Sequence, residues 1–160
     1  MDHPVIAAVR EFVDDEVRPV AASLEHADAY PHAPVARMRE LGLFGSLVPE
    51  PFGGLGLDVT TYARVIEELC RGWMSLAGVI NSHTMAALIV LNHGTDAQRQ
   101  RFLPRFACGD ARGGLALTEP HAGTDVQAIR TVAPRRGEGY VLTGPNVVIT
   151  NRLEGKQLAL

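Results

Sequence analysis

The chain has 160 residues, 46% of them apolar, enough to build an ordinary globular core. Its 15 basic and 18 acidic residues give a formal net charge of -3 and are mixed along the sequence, so no charged face marks it for nucleic acid or an anionic membrane. A small molecule or another protein is the partner this composition allows. The start, Met1-Asp2-His3-Pro4, lacks a basic segment followed by an apolar run, and no uninterrupted apolar stretch reaches the ~20 residues of a spanning helix. A cytoplasmic chain is expected. Cys70 and Cys108, the only cysteines, lie in apolar helical sequence and read as two buried, reduced thiols.

Taken in order, Val5, Val9, Phe12, Val13, Val17, Val20 and Leu24 recur at three- and four-residue steps and predict an amphipathic helix, kinked at Pro19. A second helix opens at Pro34 and closes at Gly42. The run from Val48 to Asp58 breaks the period; its prolines and glycines fix turns around the apolar pegs Phe52, Leu55 and Leu57, a packed loop and not a linker. Tyr62, Val65, Ile66, Leu69, Cys70 and Trp73 form the cleanest stripe, a helix over about 60–72 with Asp58, Thr60 or Thr61 as its cap. Residues 76–91 are apolar on most sides and predict a helix buried in the centre. Thr95-Asp96-Ala97-Gln98 has the form of a capping box, and Pro104 shapes the end of the helix it starts.

After Cys108-Gly109-Asp110 the texture becomes short β-like runs at 114–118, 131–133, 140–143 and 147–150, with turns at Gly137-Glu138-Gly139 and Gly144-Pro145-Asn146. The final Gln157-Leu158-Ala159-Leu160 reads as a strand in progress, so the sheet is expected to be completed elsewhere. No repeat or low-complexity segment is visible. The pattern is α+β: an all-α N-terminal domain over 1–112, then a partial, barrel-like β-domain over 113–160, a layout expected of a truncated protein.

Leu117-Thr118-Glu119-Pro120-His121-Ala122-Gly123-Thr124-Asp125 is where chemistry can concentrate. A strand ended by Pro120 leaves the next amides without a ladder, and Ala122-Gly123-Thr124 can aim successive N–H groups into one concavity that suits a phosphate or a flavin carbonyl. Asp125 can close the loop through an Asx bond. On residue chemistry alone, a tight turn with no ligand is an equal reading.

The same stretch resembles the Thr-Glu-Pro-x-Ala-Gly-Ser/Thr-Asp signature of acyl-CoA dehydrogenases. Other segments resemble that family in order and spacing: Glu40-Leu41-Gly42-Leu43-Phe44, Val48-Pro49-Glu50, Phe52-Gly53-Gly54-Leu55-Gly56, Val65 to Arg71, His93-Gly94-Thr95 to Arg99, Leu103-Pro104, and Ile149-Thr150-Asn151. The resemblance implies FAD at the β-domain and α,β-dehydrogenation of an acyl-CoA thioester, in which a carboxylate takes the α-proton and the β-hydrogen leaves as hydride to the flavin. It further implies an electron-transfer flavoprotein or similar acceptor and a homo- or hetero-oligomer.

Carried over by position, Leu115, Leu117 and Thr118 would meet the pyrimidine side of the flavin, Gly123 and Thr124 its pyrophosphate, and Thr150 its N5 edge. Thr124 would also lie near the CoA moiety, and Ser82 and His83 near the acyl pocket, with core packing an equal reading of that helical segment. Val148 falls in the flavin strand where the family usually has an aromatic residue, and Gly144-Pro145-Asn146 replaces the usual Gly-x-Lys; an aliphatic Val148 cannot stack on an isoalloxazine. The family's catalytic glutamate lies in a C-terminal helical bundle with no counterpart here, so no catalytic residue is assigned. Glu67-Glu68 reads as a solvated or ion-paired face, Glu119 as local structure and His121 as a surface residue. The six histidines show no metal-ligand spacing, so no metal is expected. Two other readings are a non-catalytic assembly subunit with this fold and a flavin monooxygenase of the same architecture.

Overall fold

The structure, a computed structural model, describes residues 3–151 and the backbone of 157–159. Helix α1 (Pro4–Phe12) runs through a π-helical segment, Val13–Val17, into α2 (Arg18–His26). α3 (His32–Glu40), α4 (Val59–Gly72), α5 (Met74–His93) and α6 (Asp96–Ala107) follow, and then β1 (Gly113–Leu115), β2 (Arg135–Arg136), β3 (Gly139–Tyr140) and β4 (Gln157–Ala159). β1 pairs in parallel with β4, with Gly113 opposite Gln157, and β2 pairs antiparallel with β3. Leu160 of the expected last strand lies outside the described residues.

The helices follow the apolar stripes closely. Ile6, Val9, Phe12, Val13 and Val17 bury against Val65 and Leu69 of α4 and Leu76 and Ile80 of α5 in one core; Leu103 and Phe106 of α6 with Val48 and Ala87 make a second. The first helix departs from expectation at its break. The irregularity is a π turn, in which the Arg18 amide reaches back to the Val13 carbonyl, directly ahead of Pro19, which has no N–H to continue the helical ladder. α3 opens two residues before Pro34, and the chain leaves it through Gly42 at φ 72°, a conformation that glycine adopts without a Cβ penalty. Asp58 caps α4 by accepting from the Thr61 amide, and Thr95 and Gln98 close the capping box of α6. Pro104 lies inside α6 and does not end it.

Three further expectations change. Cys70 and Cys108 are exposed: Cys70 sits beside the inward stripe of α4, not on it, and Cys108 lies past the last turn of α6. In the 48–58 loop Leu57 is buried and Phe52 half-buried, but Leu55 stays at the surface. α5 packs on α4, α6 and β1, yet Met74, Met85 and Ile89 remain exposed, so it is buried on one side only.

The β runs are shorter than the sequence predicts. A hairpin does turn through Gly137-Glu138, with Val132 and Thr143 exchanging two backbone bonds of 3.0 Å beyond β2 and β3. Residues 147–150 form no strand, and Gly144-Pro145-Asn146 makes no hairpin between neighbouring runs. The left-handed backbones of Val148 (φ 55°) and Asn151 (φ 63°) interrupt extension there, and the Val147 amide instead reaches the Thr118 carbonyl at 2.9 Å.

Candidate functional site

The Thr-Glu-Pro stretch forms a two-residue hairpin. Glu119 and Ala122 exchange backbone bonds of 2.8 and 3.1 Å around Pro120-His121, which sets Gly123 next to Thr118 on the opposite arm. The Ala122 amide is thereby spent inside the turn. The expected run of three inward-pointing amides is reduced to the exposed Gly123 and Thr124. Asp125 closes the loop as expected, its Oδ1 accepting from the Gln127 amide at 3.1 Å.

Glu119 is 2% exposed and holds this region together. Its Oε1 accepts from the Thr131 amide at 2.7 Å and from the Thr131 hydroxyl, and its Oε2 accepts from the Arg130 amide at 3.0 Å. The Thr131 hydroxyl, with the Arg130 amide next, holds the carboxyl below the usual carboxylate range. His121 Nε2 lies 3.3 Å from Glu119 Oε2 at the rim. The carboxylate is therefore ionised and saturated with donors, a structural role. Glu68 is likewise engaged, between Arg10 and Arg71, with Arg10 the principal cause of its lowered pKa.

A second segment runs beside 115–118. The Val147–Thr118 backbone bond and the 3.2 Å bond from Asn146 Nδ2 to the Ala116 carbonyl seat 146–148 alongside that strand. Leu117 (39% exposed) and Val148 (91% exposed) then present apolar surface to solvent, with half-buried Leu115 and Thr118 and exposed Gly123, Thr124 and Thr150 on the same two segments and the hairpin.

His83 and Ser82 separate. Ser82 is half-buried, whereas His83 is fully buried, its ring edge-on to Phe44 and Phe106. The Gly113 amide donates to His83 Nδ1 at 3.0 Å, so the ring proton resides on Nε2, which donates to the Phe44 carbonyl at 3.1 Å. Burial pushes its pKa down to about 4, so the ring is neutral at pH 7. With both nitrogens committed to backbone and the ring fully buried, His83 fits the core role, one of the two readings the sequence left open there. A groove of about 400 Å³ does open nearby, between α4 and the first half of α5, and it is lined by Ile66, Met74, Ser75, Ala77, Gly78 and Asn81.

Asn151 carries an assignment that sequence reasoning missed. Its Nδ2 donates to the carbonyls of Val79 and Gly113, both at 3.0 Å. The available signal was an asparagine ending the Ile-Thr-Asn motif, a residue type that tolerates positive φ and can bridge two carbonyls.

Residues 3–110 match the family model described as acyl-CoA dehydrogenase, N-terminal domain. The chain belongs to the acyl-CoA dehydrogenase family. Over 144 residues it is 38% identical to a short-chain specific acyl-CoA dehydrogenase of Clostridium acetobutylicum, covering 89% of this chain and 38% of that protein. Over 154 residues it is 32% identical to a glutaryl-CoA dehydrogenase of Desulfococcus multivorans, covering 94% of this chain and 40% of that one. Among solved structures it superposes on butyryl-CoA dehydrogenase from Megasphaera elsdenii with a TM-score of 0.88 at 28% identity, covering 95% of this chain and 41% of that one. A glutaryl-CoA dehydrogenase from Mycobacterium smegmatis in complex with FADH2 gives a TM-score of 0.85 at 28% identity, with 92% and 38% covered. The chain thus spans about two fifths of the length of these family members.

Proposed function

We propose that this chain supplies the helical part and the first flavin-contacting segments of an FAD-dependent acyl-CoA dehydrogenase. The observation that carries this is the pairing of Val147 with Thr118 beside the Glu119–Ala122 hairpin, which draws Leu117, Thr118, Gly123 and Val148 into one neighbourhood. An apolar surface rimmed by hydroxyl and amide donors fits a flavin, whose ring is flat and apolar and whose edge and phosphates are acceptors. Leu115, Leu117 and Thr118 would hold the pyrimidine side, Gly123 and Thr124 the pyrophosphate, and Thr150 the N5 edge, with Val148 packing against the ring without stacking. When bound, FAD supplies the acceptor for the hydride leaving the β-carbon.

The chain's own residues bind and orient. Thr118 and Thr150 can donate to flavin acceptors, favouring the charge that builds up as hydride arrives. The groove at Ile66, Met74, Ala77, Gly78 and Asn81 fits an apolar acyl chain, in place of His83 and Ser82, neither of which lines it. No glutamate described above takes the α-proton: Glu119 is saturated by donors and Glu68 is ion-paired. On this reading the chain binds flavin, and neither Glu119 nor Glu68 is assigned the proton abstraction. The proposal extends to a cytoplasmic, oligomeric enzyme that passes electrons to an electron-transfer flavoprotein. A solved structure of the electron transferring flavoprotein of Acidaminococcus fermentans contains a chain similar to this one, with a TM-score of 0.88 at 32% identity, covering 94% of this chain and 40% of that one, which supports the acceptor.

Titrating the purified chain with FAD and following quenching of flavin fluorescence tests the binding half, and saturable binding is expected. Incubation with saturated acyl-CoA thioesters and an artificial electron acceptor tests the other half, with no dehydrogenation expected. Failure to bind FAD favours the assembly-subunit reading, to which the non-aromatic Val148 also points; robust turnover shows that a base is present.

A further inference from the structure

We propose that His83 and Asn151 act as a pair of positioning residues that clamp the Gly113 peptide onto α5 and so fix both segments of the flavin site. The flavin rests on the function proposed above; the clamp rests on geometry alone.

Gly113 is held through both polar groups of its backbone. Its N–H donates to His83 Nδ1 at 3.0 Å, and its carbonyl accepts from Asn151 Nδ2 at 3.0 Å. Each clamping side chain has a second anchor on the helical part. His83 Nε2 donates to the Phe44 carbonyl at 3.1 Å, and the other hydrogen of Asn151 Nδ2 goes to the Val79 carbonyl, one helical turn before His83 on α5. The contact is close: a Cβ at Gly113 would sit 2.6 Å from the Ala86 Cβ of the same helix. Gly113 therefore lies where only a glycine reaches, and two buried side chains hold it there.

The consequence lies downstream of each anchor. Gly113 opens the strand that leads to Leu115, Leu117 and Thr118, and Asn151 directly follows Thr150. Segments that contribute short, otherwise weakly paired strands are thus referred to one rigid helix, the arrangement that keeps site residues within a fraction of an ångström. Neither His83 nor Asn151 is placed at the flavin itself; they act through Gly113.

The two His83 bonds can be separated chemically. An asparagine places an oxygen near the position of Nδ1 and keeps an acceptor for Gly113, whereas a glutamine reaches toward Nε2 and keeps a donor for Phe44. Both lose the ring and its packing, so the packing loss is common to the two. The experiment compares His83→Asn, His83→Gln, Asn151→Ala and Asn151→Asp in the 160-residue chain. It measures amide hydrogen exchange at Gly113, amide NMR shifts of Leu117, Thr118 and Thr150, and FAD affinity. His83→Asn is expected to keep Gly113 protected, to leave the three shifts near those of the unsubstituted chain and to bind FAD within about threefold of it. His83→Gln and both Asn151 variants lose Gly113 protection, move the shifts and weaken FAD by about tenfold or more. Equal behaviour of the two His83 variants, or unchanged shifts in the Asn151 variants, overturns the clamp. An unsubstituted chain that does not bind FAD, with the exchange and shift pattern intact, overturns the flavin reading and leaves the clamp standing.

Discussion

Thr131 gives Glu119 both its backbone N–H, at 2.7 Å, and its side-chain hydroxyl, so that one threonine occupies a single carboxylate oxygen from two directions. This contact ties the signature turn to the segment twelve residues on that leads into the next hairpin. Glu119→Gln keeps an acceptor for Thr131 but turns an NH2 toward the Arg130 amide, which leaves two donors facing each other. The substitution is expected to lower Tm and to accelerate exchange of the Arg130 and Thr131 amides, read by thermal melting and hydrogen exchange. The lowered pKa of Glu119 fixes the pH sign. Its stabilisation is complete above the unfolded carboxylate value of about 4.3 and disappears as pH falls through the lower folded value. The Tm gap between the two proteins should therefore close only below about pH 4.3.

His83 acts in a different window. Its folded pKa, about 4, lies below the 6.5 of an unperturbed imidazole, so the unfolded chain binds the proton first as pH falls. Stability is lost from about pH 6.5 down to about 4 and is flat below, a total of roughly 3 kcal/mol for a shift of that size. Denaturant midpoints for the unsubstituted chain and His83→Asn across pH 7 to 4 check this; the substituted chain should show the shallower decline.

Gly113 and Ala86 make a compensating pair. Gly113→Ala drives a methyl against the Ala86 Cβ and should cost about 1–3 kcal/mol, while Ala86→Gly alone costs about 1 kcal/mol of helix propensity. The double variant should be more stable than the sum of the two losses, because the second change removes the clash made by the first. Urea unfolding of the four proteins in the cycle measures that coupling.

Val148 holds an aliphatic, β-branched side chain in the left-handed region and exposes 91% of it. Val148→Gly removes a backbone cost of about 1–2 kcal/mol and loses little buried surface, against about 0.5–1 kcal/mol of added chain entropy. Thermal melting should show a gain near 0.5–1 kcal/mol. If Val148 packs on the flavin ring, the same variant binds FAD more weakly while melting higher.

Local features were the legible ones. The stripes of α1, α4 and α6, the Asp58 and Thr95 caps and the Gly42 exit all depend on residues within a turn or two of one another, so spacing was enough to find them. The β region depends on partners far along the chain. The run at 147–150 has strand composition, but its pairing with Thr118 is made by one residue, and its course is set by positive φ at Val148 and Asn151. The family motif pointed correctly to Glu119 as a structural residue, but no spacing could show that its partners would be Arg130 and Thr131. His83 is singled out by its position in the family resemblance, with the acyl pocket and core packing as equal readings, and its buried ring and two backbone bonds favour the core. Which carbonyl and which amide flank a buried ring is decided by how β1 and the Leu43–Gly45 turn meet α5, and that is a property of the assembled core.

The π turn at Val13–Val17 has a consequence for how this fold can vary in length. It takes up one residue more than a regular turn, yet Val9 before it and Val13 and Val17 at its two ends all face the core. Removing a single exposed residue there, such as Asp15, would let the backbone close into ordinary helix with both halves still facing inward. The same deletion in the middle of α4 would rotate everything beyond it by about 100° and carry Leu69 out of its contacts. The first helix thus has a place where insertion and deletion can be absorbed without turning its apolar face to water.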